Sequence, residues 1–119
     1  MKRTVVIGAS DNPDRYSYLA VERLARHHHE VFAVGIKNGK IGNIPLTKEL
    51  KFIPDVDTIT LYVGAKNLPY WTDYMLSLKP KRIIFNPGAE NYEFAKLARS
   101  KGIETVEACT LVMLSVGNY

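Results

Sequence analysis

The residues best suited to holding an anion cluster in one short stretch, VVIGASDNPDRYSY, where a first apolar run ends. Gly8 lets backbone approach a ligand with no Cβ in the way. Ser10, Asn12 and Ser17 bring hydroxyl or amide donors, and Arg15 brings a fixed cation whose planar fork matches phosphate. A helix beginning just after this turn would add free N–H groups and a positive partial charge. The stretch lacks the second and third glycines of a dinucleotide fingerprint. Any strand-to-helix turn also uses Gly and Ser for geometry alone, so both readings stand at this point.

A second group follows the next apolar run, in FAVGIKNGK. A domain preferring NAD carries a carboxylate there to accept ribose hydroxyls. This chain has none at that place and has Lys37 and Lys40 instead. Cations there would attract an additional phosphate on the ribose, which points to NADP or to coenzyme A with its 3′-phosphate. The missing glycines disfavour NADP, whose pyrophosphate needs the closer approach. Two solvated loop lysines are the other reading.

Other reactive residues point less clearly. Ser10 has no G-x-S-x-G elbow, and no His and acid pair is placed to activate it. His27, His28 and His29 are consecutive, so on a helix they diverge and make a poor metal set; the reading is structural, with no metal. Tyr70, Trp71 and Tyr74 fall on one helix, with Tyr70 and Tyr74 on a shared face, and read as core or as a contact in a homodimer.

The elements that must position these groups alternate along the chain. Strands are expected over Thr4 to Ile7, Val31 to Val34, Thr58 to Val63, Arg82 to Phe85 and Ile103 to Val106. Helices are expected over Ser17 to His28, from Pro69 towards Leu78, over Asn91 to Ser100 and, briefly, Leu111 to Ser115. Pro69 suits a first helical position, and Gly102 suits the position after a helix. Continuous apolar strands mean burial on both faces. The fold class is therefore α/β: a three-layer doubly wound, Rossmann-like, parallel five-stranded sheet with order 3-2-1-4-5. The segment Lys37 to Asp57 reads as a long functional loop with one short helical turn around Lys48 to Leu50. The ligand crevice then lies where the strand order reverses, between the first and fourth strands, where the Gly8 to Tyr16 loop meets Asn86 to Ala89. Gly88 there, like Gly8, allows close backbone approach.

Composition narrows the function. A chain of 119 residues is one domain, 1–119, too short for a nucleotide domain plus a substrate domain. The opening MKRTVVIGAS turns polar too soon for a secretory signal, and no apolar run approaches the ~20 residues of a membrane span. A net charge of +4 favours an anionic ligand, but the basic residues are scattered, which argues against nucleic acid. A single cysteine, Cys109, fits a reducing cytoplasm.

Taken in order, VVIGASDNPDRYSY, EVFAVG with its Lys/Gly-rich loop, IGNIPLTKEL and RIIFNPGAENYEFAKLARSKGIETVEAC resemble the small free-standing CoA-binding proteins. Those are similar to the CoA-binding domain of the succinyl-CoA synthetase α subunit. The resemblance implies a CoA or acyl-CoA ligand. It would set Gly8, Ala9, Ser10, Arg15 and Ser17 against the phosphates, and Val34, Gly35, Ile36 and Lys37 against adenine and the 3′-phosphate. Tyr62, Val63 and Gly64 would pack on the nucleotide or pantetheine arm, and Asn86, Pro87 and Gly88 would border the arm's path. Cys109 sits where a pantetheine thiol arrives and would be its contact, unless it is an inert filler.

The chain departs from this pattern twice. It has Gly35-Ile36 where relatives have Asn-Pro, and Val63-Gly64-Ala65 before Lys66 where many have an arginine. The resemblance carries no catalytic residue, because the synthetase's phosphorylated histidine belongs to a further domain. The expected function is a CoA-binding module, regulatory or carrier, without catalysis of its own. The alternatives are a small NADP-dependent or other nucleotide-using enzyme completed by a protein partner, and an interaction module that kept the fold without the ligand.

Overall fold

In the computed structural model, which describes residues 1–119, β1 (Arg3–Ile7) runs through the centre of the sheet. It pairs in parallel with β2 (Glu30–Val34) on one side and with β5 (Thr58–Leu61) on the other. Beyond β5 lie β6 (Arg82–Phe85) and then β7 (Glu104–Glu107), both parallel. Every residue of β5 and β6 is buried, as strands covered on both faces must be, and the one charged member, Arg82, donates from Nε to Thr58 Oγ1 at 3.0 Å.

The sheet has seven strands, not five, because the expected loop after β2 is a hairpin. Its strands are β3 (Gly39–Ile41) and β4 (Ile44–Thr47), antiparallel to each other. Gly42 supplies the positive φ, +59°, that a two-residue hairpin turn demands. No helical turn forms at Lys48 to Leu50. β4 pairs in parallel with the outer edge of β2, Ala33 opposite Leu46 and Val34 opposite Thr47. With that edge taken, the next strand, β5, occupies the free edge of β1. The order is therefore β3-β4-β2-β1-β5-β6-β7. Among the five strands expected from the sequence it reads 2-1-3-4-5, which replaces 3-2-1-4-5.

The helices cover opposite faces. α1 (Tyr16–Arg26) and α4 (Thr110–Val116) lie on one side, where Val21, Leu24 and Leu114 meet Val6 and Ala33. On the other, α2 (Thr72–Ser77), led in by a 3-10 turn at Leu68–Tyr70, and α3 (Tyr92–Ser100) cover Val5, Ile7, Ile59, Leu61, Ile83 and Phe85. Asn91 caps α3, its Oδ1 accepting from Phe94 N at 2.9 Å.

The histidine run serves structure. His27 ends α1, His28 takes φ +66°, and His29 Nδ1 accepts from Lys2 N at 3.0 Å. The His29 ring also stands edge-on to Tyr119, 4.8 Å between centroids. Burial first, then the N-terminus and the charges of His27, Lys2 and Arg82, hold its pKa below the ordinary 6.5. The unfolded chain thus takes up this proton at a higher pH than the folded one. The stability this provides is present above 6.5 and lost as pH falls through 6.5 towards the lowered folded value. The melting temperature should drop between about pH 7.5 and about pH 5.5, and His29→Gln, which keeps an acceptor for Lys2 N, should flatten the drop. An unchanged pH profile in the variant would refute this role.

Candidate nucleotide-binding cleft

The strands on either side of the β1–β5 boundary send their helices to opposite faces, α1 to one and α2 to the other. A crevice must open there, at the carboxyl ends of the strands. The switch point lies between β1 and β5, not between the first and fourth strands as expected from the sequence. At that place is a cleft of about 710 Å³, within the range of pockets that hold a cofactor.

One end of the cleft is cationic and rich in donors. Ser10, Arg15 and Ser17 line it with Gly8 and Ala9, and Lys37, in the loop after β2, lines it as well. α1 has no side-chain cap; its N-cap residue is Arg15 itself, in extended conformation. Arg15 is exposed and forms no ion pair. The open helix start, the guanidinium and the buried Ser17 together favour a phosphate. Ser10 Oγ accepts from Asn12 N at 3.1 Å, which leaves its own proton free to donate.

The Gly8 and Ala9 amides are occupied, however. Both donate to Val34 O at 3.0 Å, tying the end of β1 to the end of β2. Any phosphate contact here falls to Ser10, Arg15, Ser17 and the start of α1, with Gly8 and Ala9 forming wall rather than cradle. Gly8 has φ +86°, and a Cβ on it would stand 2.7 Å from Tyr62 O and 2.8 Å from Val63 Cγ2. Its glycine therefore serves the closure of β1 on β5.

The other end is apolar, formed by Val63, Trp71, Pro87 and Ala89 with Gly64, Gly88 and Asn67. Tyr62 lines the cleft between the two ends. Burial pushes its phenol up to about 12, so it stays protonated, and its hydroxyl near Thr60 and Thr110 has no well-formed partner. Ile36 is 84% exposed at the mouth, an apolar side chain whose position suits a flat ring laid against it.

Several residues expected at the site stand elsewhere. Val34 is core and Gly35 lies just behind the wall. A Cβ on Gly35 would meet Ala9 O at 2.2 Å, so the crossing of these two loops admits only glycine. This accounts for Gly35 in place of Asn. Lys40 is exposed on the edge strand β3 and does not line the cleft. A lysine on an edge strand discourages pairing with another chain. Asn86 is buried, and its amide ties three elements. It donates to Thr60 Oγ1 at 2.7 Å and to Leu61 O at 3.0 Å, and its Oδ1 accepts from Thr110 N at 2.9 Å. Cys109 is half-buried at the N-cap of α4, outside the cleft lining.

Tyr16 and Ala89, the ends of the two loops expected to meet there, line the cleft, and so do Asn67 and Trp71, which the sequence did not place at the crevice. Trp71 reads as core and is core, 2% exposed, yet it also faces the cleft. Tyr70 is 63% exposed while Tyr74 is buried with its hydroxyl on Lys51 O, so the two do not share one environment.

A doubly wound domain with an open cleft at its switch point is the architecture on which nucleotides are commonly bound. Residues 2–115 match the CoA binding domain model, and the chain belongs to that family. The crystal structure of an uncharacterized protein superposes with a TM-score of 0.97 at 48% identity, covering 100% of this chain and 98% of that one. A hypothetical protein from Pyrococcus horikoshii OT3 gives 0.86 at 22% identity, over 97% and 82% of the two chains. A protein from Thermus thermophilus gives 0.85 at 20%, over 99% and 91%. The last two show likeness of fold alone. No curated protein matches the chain. No helix is long and apolar enough to cross a membrane.

Proposed function

We propose that this protein binds coenzyme A or an acyl-CoA in the β1–β5 cleft and acts in the cytoplasm as a carrier or regulatory module. The observation that carries the reading is the uncapped start of α1, opening beside Arg15 and Ser17 onto the cleft of a CoA-binding-family domain. The diphosphate sits at that helix start, where dipole and guanidinium act together. Adenine lies towards Ile36 and Lys37. The pantetheine arm, a mostly apolar chain with two amides, runs past Tyr62 and Gly64 to Val63, Trp71, Pro87 and Ala89, with Asn67 available to its amides.

The lining supports binding rather than catalysis. It holds no histidine or cysteine, and the carboxylate at its edge, Asp11, is paired with Lys37. The Tyr62 phenol is driven away from neutral pH, so the lining offers binding contacts and no group tuned as a general base.

The test is thermal melting with CoA and NAD. A ligand at a hundredfold its Kd adds about 2.7 kcal/mol, on the order of a 10 °C rise for a domain of this size. CoA should produce such a shift and NAD none, since its second nucleoside would have to occupy the apolar end. A flat response to saturating CoA overturns the proposal.

A further inference from the structure

The cleft has two cations, and they are not equivalent. Arg15 is unpaired, whereas Lys37 Nζ lies 3.0 Å from Asp11 Oδ1. Asp11 comes from the same β1–α1 loop as Ser10 and Arg15. Its other oxygen faces the start of β3, where a Cβ on Gly39 would stand only 3.1 Å from it. That glycine leaves the carboxylate room to lie against the hairpin beside Lys37. The pair is half-solvated: the lysine side chain is 63% exposed and the aspartate 33%.

We infer that Asp11 is a specificity-determining residue of the cleft, setting how strongly the site distinguishes a ribose with a 3′-phosphate from one without. The inference rests on the CoA reading above. An arriving phosphate dianion needs Lys37 free, but Asp11 already neutralises that ammonium and presents a like charge within a few ångströms. The same carboxylate is an acceptor for ribose hydroxyls, which a ligand lacking the phosphate offers. Both effects press the two ligands towards equal affinity. The carboxylate that the end of β2 lacks in sequence is thus delivered by the loop after β1.

Calorimetric titration of CoA and dephospho-CoA into the wild-type protein and into Asp11→Asn, Lys37→Gln and the double variant tests this. The wild type should bind the two ligands within about threefold of each other. Asp11→Asn should tighten CoA about tenfold and leave dephospho-CoA within about twofold. That gain should disappear in about 1 M salt, where charges a few ångströms apart are screened. Lys37→Gln alone should weaken CoA severalfold, because the Asp11 carboxylate is then uncompensated beside the phosphate, and the double variant should bind CoA no more tightly than the wild type, a coupling that general loosening of the loop does not produce. Equal tightening of both ligands, or none, overturns the assignment of Asp11 while leaving the CoA reading in place. Binding of neither ligand by any of the four proteins defeats the CoA reading and this inference with it.

Discussion

Gly64→Phe is expected to weaken CoA binding by about a hundredfold or more while leaving the unfolding free energy within about 0.5 kcal/mol of the parent. Gly64 lines the cleft where the end of β5 meets the apolar half. A Cβ there meets nothing within 4 Å, and its φ lies outside the left-handed region, so a side chain adds neither clash nor backbone strain. The residue is already exposed, and nothing packed is disturbed. A phenyl ring in that space occupies the path assigned to the pantetheine arm and forfeits most of the arm's contacts. Titration calorimetry paired with urea unfolding reads both quantities on one protein. Full affinity in Gly64→Phe would take the arm out of this part of the cleft.

Gly8 lines the same cleft, and substitution there should behave in the opposite way. Gly8→Ala should cost about 3 kcal/mol or more, since it combines an unfavourable left-handed backbone with overpacking. The new methyl would press on Tyr62 O at 2.7 Å and Val63 Cγ2 at 2.8 Å, and one of those atoms is backbone in a loop that closes the sheet. Against a total stability of about 5–15 kcal/mol, such a loss is large. The urea midpoint should fall clearly, and Gly64→Ala, measured alongside, should not move it. A Gly8→Ala midpoint equal to the parent's would mean that the β1–β5 closure is softer than these distances imply. The pair of glycines therefore separates two demands that look identical in sequence, one of the fold and one of the ligand.

Much of the fold was legible because burial on both faces imposes unbroken apolar runs. All five core strands and the four helices were placed within two to three residues at most ends. The end of α1 shows what fixes such boundaries. Periodicity carries the helix to His28, but His28 adopts φ +66° and the helix closes at Arg26. The hairpin was missed because its strands are short and half-exposed, leaving the Ile41-Gly42-Asn43-Ile44 turn as its clearest local mark. That omission propagated. With β4 unrecognised, the outer edge of β2 looked free, and β5 was assigned to the wrong side of β1.

The site divides along a similar line. Ser10, Arg15, Ser17 and Lys37 were recognisable from chemistry and from the element boundaries beside them, and all four line the cleft. What sequence spacing does not show is which groups are already engaged. The Gly8 and Ala9 amides are held by Val34 O, the Asn86 side chain by Thr60, Leu61 and Thr110, and Lys37 by Asp11. Asp11 and Lys37 are far apart in the chain and come from loops on neighbouring strands. Their meeting depends on the parallel register of β1 with β2, Ile7 opposite Val34.

The most direct measurement is a crystal structure of the protein grown with coenzyme A. The diphosphate should rest on the first turn of α1 within hydrogen-bond reach of Arg15 and Ser17, with the pantetheine arm passing Gly64 towards Trp71. Density for the cofactor anywhere else on the molecule, or a cleft holding only solvent at saturating cofactor, would contradict the account.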